Sequence, residues 1–173
     1  MLRHYMINKY FMEMTGYYDR NGKLCTLVTE TGKTFMVDKS PLEIIKVNIM
    51  CAGYDLRGAM ETAKKLLGNI YHCPILVNPI DRIVLFPTLS PKHTECVWYN
   101  PVHIKRTSSL NHQTFIMCSN GKTKLIRAKL SSFNCKIKRA EQLEAMTRVT
   151  SFFILNKRSD SVLNNKMLEF YYT

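Results

Sequence analysis

Residues 1–151 are predicted to fold as a single α+β domain: a mixed, mainly antiparallel β core with flanking helices. Two observations predict it. Asn-Gly hairpin signals stand at Asn21-Gly22 and Asn120-Gly121, and the segments between them include two helices with recognisable starts and stops. Of the 173 residues, 46% are apolar and 22% charged, which is a globular composition in a chain long enough to bury a core.

In chain order, apolar and aromatic residues from Tyr5 to Tyr18 lead into Asn21-Gly22, a dipeptide suited to a two-residue turn. Strands over 24–29 and 33–38 flank a second turn at Thr31-Gly32. Ser40-Pro41-Leu42-Glu43 marks a helix start, with a hydroxyl cap, proline at the first position and glutamate three residues after the cap. This helix should reach Cys51 and stop at Gly53. Asp55 caps a second helix in which Leu56, Ala59, Met60, Ala63, Leu66 and Leu67 share one face, and Gly68 ends it. Arg57, Lys64 and Lys65 lie on its other faces. Strands are expected again at 74–77, 83–86, 97–99 and 102–104, with a loop over 87–95.

The hairpin about Asn120-Gly121 joins strands 114–118 and 122–127, with Lys122 and Lys124 on one face and Leu125 and Arg127 on the other. A last helix over roughly 134–150 would turn Ile137, Ala140, Leu143 and Met146 or Thr147 inward, and Lys136, Arg139 and Arg148 outward. Residues 152–173 form a tail whose apolar run at 167–172 calls for cover from a dimer mate or another protein.

The formal net charge is +12, and between 121 and 140 there are seven basic residues and no carboxylate. A solvated face would interleave both signs, so this stretch points to a polyanionic partner. No apolar run approaches the length of a membrane span, and the N-terminus lacks the pattern of a secretory leader, so a cytoplasmic protein is expected. The six cysteines have no paired spacing suited to zinc or redox chemistry and are read as reduced, mostly buried small hydrophobes. The histidines are scattered, His103 being read as a satisfied structural group in a strand. No phosphate loop, nucleophile elbow or paired carboxylates suggest catalysis, and no cofactor or metal is expected. Helix-turn-helix, zinc-finger, basic-zipper and RNA-recognition signatures are absent.

The run Pro74-Ile75-Leu76-Val77-Asn78-Pro79 is followed by Ile83-Val84-Leu85-Phe86-Pro87-Thr88-Leu89-Ser90, then Trp98, then His103-Ile104-Lys105. In this order they resemble the competence transcription factor ComK family. Asn21-Gly22-Lys23-Leu24-Cys25 and Pro41-Leu42-Glu43-Ile44 upstream, and Ser119-Asn120-Gly121-Lys122-Thr123 downstream, extend the resemblance over about 20–135. The family's Tyr-x-Gly-Arg-Lys segment corresponds to Tyr54-Asp55-Leu56-Arg57-Gly58, which lacks the lysine, and its Lys-Pro-Pro to His72-Cys73-Pro74. The resemblance implies a cytoplasmic bacterial activator that binds promoters with paired A-run and T-run boxes, through the minor groove, as a dimer that assembles further on DNA. It also implies turnover through an adaptor of an ATP-dependent protease, with Phe152-Phe153-Ile154-Leu155-Asn156-Lys157 as a loose counterpart of the gripped segment.

On this reading the candidate DNA-contacting residues are Arg57, Lys122, Lys124, Arg127, Lys136, Lys138 and Arg139, then Lys92, His93, Lys105 and Arg106, with Lys64 and Lys65 on the second helix. Arg57 and Arg139 are the candidates for groove insertion. Two other classes are weighed: a basic RNA- or ribosome-binding protein, and a phosphotransfer or nuclease enzyme, which would need metal-binding carboxylate clusters.

Overall fold

The computed structural model describes residues 1–148. Its elements are β1 (Phe11–Tyr18), β2 (Leu24–Glu30), β3 (Thr34–Val37), α1 (Pro41–Cys51), α2 (Leu56–Leu67), β4 (Ile75–Asn78), β5 (Ile83–Pro87), β6 (Val97–Tyr99), β7 (Ile104–Leu110), β8 (Gln113–Cys118), β9 (Thr123–Ile126) and α3 (130–148). The strands form two antiparallel sheets, one of six strands ordered β3-β2-β1-β6-β5-β4 and one of three ordered β7-β8-β9. The α+β class with a mainly antiparallel core is therefore as expected.

Both faces of the six-stranded sheet are buried around β5 and β6, where the two core clusters lie on opposite sides. The uninterrupted apolar run of β5 follows from this, because Ile83 and Leu85 enter one cluster while Val84 and Phe86 enter the other. The first cluster gathers Phe11, Met14, Val28, Ile75 and Trp98 under Ile44, Ile45 and Ile49 of α1. The second lies on the opposite face, where Phe86 and Tyr99 receive Phe133 of α3, with ring centroids 5.6 and 5.8 Å away. Ile116 and Cys118 of β8 and Ala140 and Leu143 of α3 complete it. The helix α2 spans both clusters along β4, packing Leu56, Ala59 and Met60 on the first and Ala63, Leu66 and Leu67 on the second.

The helix boundaries follow their signals. Ser40 and Glu43 make a reciprocal capping box, the Ser40 side chain accepting from the Glu43 N–H and the Glu43 carboxylate from the Ser40 N–H. Asp55 accepts from the Gly58 N–H at 2.7 Å, and Gly53 and Gly68 take positive φ just beyond the two helices. Two polar side chains do structural work the pattern did not announce. Buried Asn48 accepts from the Ile7 N–H at 2.7 Å and donates to the Tyr5 carbonyl at 3.0 Å, pinning the N-terminal segment onto α1. Buried Asn100 donates to the Phe11 carbonyl where the chain leaves the first sheet for the second.

Several details differ from expectation. The first strand occupies only Phe11–Tyr18 of the 5–18 segment, because Asn8 turns the chain before it, accepting from the Tyr10 N–H. Both Asn-Gly hairpins close through three residues: Asp19 pairs with Lys23, Cys118 with Lys122, and only the glycine, at φ 75 and 78, takes the left-handed position. The two-residue hairpin of positive φ is instead Asn111-His112, which joins β7 to β8 without any glycine. Of the strand expected over 102–104, Val102 and His103 lie instead in a 3-10 turn, Pro101–His103, capped by Asn100 with Pro101 at its first position, and only Ile104 is in a strand. The strand β7 that follows is polar and has no period-two apolar pattern, so the sequence predicts only its first residue, Ile104. The last helix begins at 130, four residues before the expected start, which buries Phe133.

All six cysteines are free, four buried and Cys51 and Cys135 exposed. No helix among the described residues is long and apolar enough to cross a membrane.

Phe133 joins two aromatic rings of the sheet and is 1% exposed, so Phe133→Ala should cost about 3–4 kcal/mol of unfolding free energy by denaturant titration. Buried Glu30 accepts from Tyr5 Oη at 3.0 Å and Asn8 Nδ2 at 2.9 Å and pairs with Lys33. Burial works against its charge, but these partners outweigh it and hold the carboxyl below its ordinary value of 4.5. A depressed carboxylate contributes stability that is complete above the unfolded value and lost as pH falls through the folded one. Melting midpoints should therefore fall below about pH 4.5, and Glu30→Gln should flatten that limb while costing about 1 kcal/mol at neutral pH.

Candidate nucleic-acid interface

The three-stranded sheet projects from the second cluster and is held there by its inner face. Cross-strand register places Thr107, Ile116 and Lys124 in one inward row and Ser109, Thr114 and Ile126 in the next. Ile116 and Thr114 are fully buried, and Thr107 donates its hydroxyl to Asn134 Oδ1 of α3 at 2.9 Å. His103, whose strand placement is corrected above, still serves as a satisfied structural group. Its Nε2 lies 2.9 Å from the Lys9 carbonyl and its Nδ1 2.8 Å from Ser119 Oγ. A carbonyl only accepts, so Nε2 carries a proton.

Two of the seven cations of the 121–140 stretch are committed inside the fold. Lys124 does not share an open face with Lys122; its ammonium donates to Glu13 Oε1 on β1, and that carboxylate side chain is only 8% exposed. The pair joins the two sheets across the second cluster. It also bears on Tyr99, whose hydroxyl is pushed well up, first by burial and then by the Glu13 charge beside it. Lys136, expected to face outward, points inward and donates to the Thr88 carbonyl of the loop after β5. Burial holds its ammonium below the ordinary lysine value, with Arg139 adding to the depression and Cys96 opposing it. His72 is lowered in turn, first by burial and then by the Lys136 charge.

The other five are placed differently. Lys122, in the β8–β9 turn, and Arg127 and Lys129, between β9 and α3, are exposed, as is Lys138, while Arg139 is half-exposed. Together with exposed Lys105 and Arg106 of β7, none of them forms an ion pair among the described residues. The sequence contains no Asp or Glu anywhere from 97 to 140, so the three-stranded sheet and the first half of α3 have no carboxylate of their own. That longer acid-free span is the signal that ties Lys105 and Arg106 to the later cations, while Lys129 already stood within the 121–140 stretch.

The remaining candidates divide. Lys64 and Lys65 lie exposed in the last turn of α2, where cations suit the helix dipole. Lys64 shares a neighbourhood with Arg139, since both lower the Cys73 thiol against the rise that burial causes. Arg57 stands apart: it pairs with Glu61 at 3.0 Å on the first turns of α2, in a hollow that Asp55 also lines. Lys92 and His93 are exposed in the 87–95 loop beside Ser40, the cap of α1, and Pro41, its first residue, with His93 Nδ1 accepting from the Glu95 N–H. Arg148 binds Glu144, which Arg82 also clamps at 2.5 Å. The cations thus fall into an acid-free sector and two mixed ones.

A groove of about 710 Å³ between α1, α2, β4 and α3 offers a concave alternative, but Asp55 is the one charged residue lining it, so it does not suit a polyanion. Among the described residues no group of three or more His, Cys, Asp or Glu side chains is placed to hold a metal ion.

If Lys124 is structural, Lys124→Ala strands the Glu13 carboxylate and should cost about 1–3 kcal/mol, less than for a fully buried pair because Lys124 is 43% exposed. Glu13→Gln in the same background should recover part of the loss. Denaturant titration of the parent and the two variants checks it, and equal stability of the single and double variants would remove the pair's structural role.

The sequence matches the model of the family described as "ComK protein" over residues 2–151. A competence transcription factor of Bacillus subtilis (strain 168) is 30% identical over 124 residues, covering 71% of this chain and 65% of the relative, just under two thirds of its length. No solved structure matches. With the antiparallel core in place around the Pro74–Pro79, Ile83–Ser90 and Trp98 segments, and a match running through nearly all the described residues, the chain belongs to the ComK family.

Proposed function

We propose that this chain is a non-enzymatic, DNA-binding transcription activator of the competence type, working in the cytoplasm at promoters with paired A-run and T-run boxes. The observation that carries the reading is the acid-free sector: among the described residues, exposed Lys105, Arg106, Lys122, Arg127, Lys129 and Lys138, and half-exposed Arg139, have no carboxylate partner, on a sheet and helix anchored to one core cluster. Such cations release counterions when they neutralise phosphates, which drives sequence-independent affinity. Selectivity for A-runs would come from groove shape, since A-tracts narrow the minor groove and concentrate negative potential that arginines answer. Arg139 and Arg106 suit that role better than Arg57, whose guanidinium is already engaged by Glu61. Dimerisation and further assembly on paired boxes, and recognition by an adaptor of an ATP-dependent protease, complete the proposal. The segment from 152 proposed for adaptor docking lies outside the described residues.

Gel-shift titrations at several salt concentrations test this. Alanine at Lys122, Lys129 or Lys138 should weaken binding to every duplex by a similar factor and lower the salt slope by about one, whereas Arg139→Ala should relax the preference for A-tract DNA. Alanine at Lys124 or Lys136 should change stability more than salt slope. Parent-like binding by all the exposed-cation variants would overturn the assignment, and a folded RNA that outcompetes the A-tract duplex would favour an RNA-binding protein instead.

A further inference from the structure

The three-stranded sheet has a second face. Register sets Arg106, Met117 and Thr123 in one outward row, Ser108, Phe115 and Leu125 in the next, and Leu110 with Gln113 at the end. Leu110 and Leu125 are 48% exposed and Met117 37%, and Phe115 is half-buried between them. Apolar side chains thus occupy the centre of an open sheet, and the polar positions among them are all donors without negative charge. Lys105 flanks this face on β7, while Lys122 and Arg127 stand at the two ends of β9. No residue of the sheet is acidic.

Resting on the DNA-binding reading, we propose that this outer face is the surface laid against the duplex. Met117 and Leu125 act as apolar wedges against A·T base steps, and Arg106 enters the groove beside them. Charge complementarity decides for DNA over a second copy. A two-fold interface through this face would bring Arg106 and its flanking cations against their own counterparts, with no carboxylate to neutralise them. A duplex supplies the phosphates on both sides and, between them, base edges and sugars that apolar side chains can cover. Sheets are among the elements that read grooves, and wedges of Phe, Leu or Met partly unstack base steps and bend the duplex.

The test compares Met117→Thr/Leu125→Thr, which keeps strand-forming residues at exposed positions, with Arg106→Gln and with Lys138→Ala on α3. Affinity for an A-run/T-run duplex and a G·C duplex, salt slope, and end-to-end energy transfer across the duplex are measured, with light scattering of the free proteins. The double variant should lose about tenfold on the A-run duplex at an unchanged salt slope, together with the bend. Arg106→Gln should lose a similar factor and much of the discrimination. Lys138→Ala should weaken both duplexes alike and leave the bend intact. The inference is overturned if the double variant bends and discriminates like the parent, or if it lowers the mass of the free protein while leaving the bend unchanged, which would make this face a contact between copies. A parent that binds neither duplex would defeat the DNA-binding reading itself, whereas a parent that binds with an indifferent outer face would defeat only this surface.

Discussion

The seating of Phe133 between Phe86 and Tyr99 is the contact on which the arrangement of charge depends. A sheet buried on one side only would leave Val84, Phe86 and Tyr99 in water. Covering them requires α3, and α3 brings Lys136, Lys138 and Arg139 with it. The same cluster takes in Ile116 and Cys118, so the three-stranded sheet and its cations are referred to the same apolar surface. A stretch of basic sequence becomes a positioned basic sector because apolar burial, worth far more than any surface charge pair, dictates where its elements rest.

Burying that surface commits some of the charge. Glu13 lies within the interface between the sheets and needs a cation, and Lys124 reaches it from the inward side of β9. Lys136 is drawn against the Thr88 carbonyl, where burial already disfavours its charged form. These two cations tie β9 to β1 and α3 to the loop after β5. Among the described residues the exposed cations around them have no carboxylate partner, which costs self-repulsion in the free protein.

A surface of this kind does not require a recognition helix. With one face of the small sheet holding the core and the other open, apolar side chains and arginine meet on a stiff β platform, and groove width and deformability can supply selectivity where base-edge contacts are few. Local features that look alike in the chain play different parts here. Arg57 on α2 has a carboxylate one turn away, and Arg106 on β7 has none on its sheet.

Much of the fold was legible because its signals are local. The capping box at Ser40 and Glu43, the cap at Asp55, the glycine stops and the i, i+3, i+4 spacing of α2 each act within a turn or two, and the chain alone determined them. The concentration of positive charge was equally plain, as was the family likeness carried by the 74–90 segment. Strand β7 was invisible because Lys105 to Ser109 are polar on both faces; it exists because β8 offers it a hydrogen-bonding edge. The inward turn of Lys124 and Lys136, the burial of Phe133 and the glycine-free turn at Asn111-His112 were likewise decided only in three dimensions. Each depends on a partner dozens of residues away or on pairing across strands, and residue type and spacing carry no record of which distant group will be waiting.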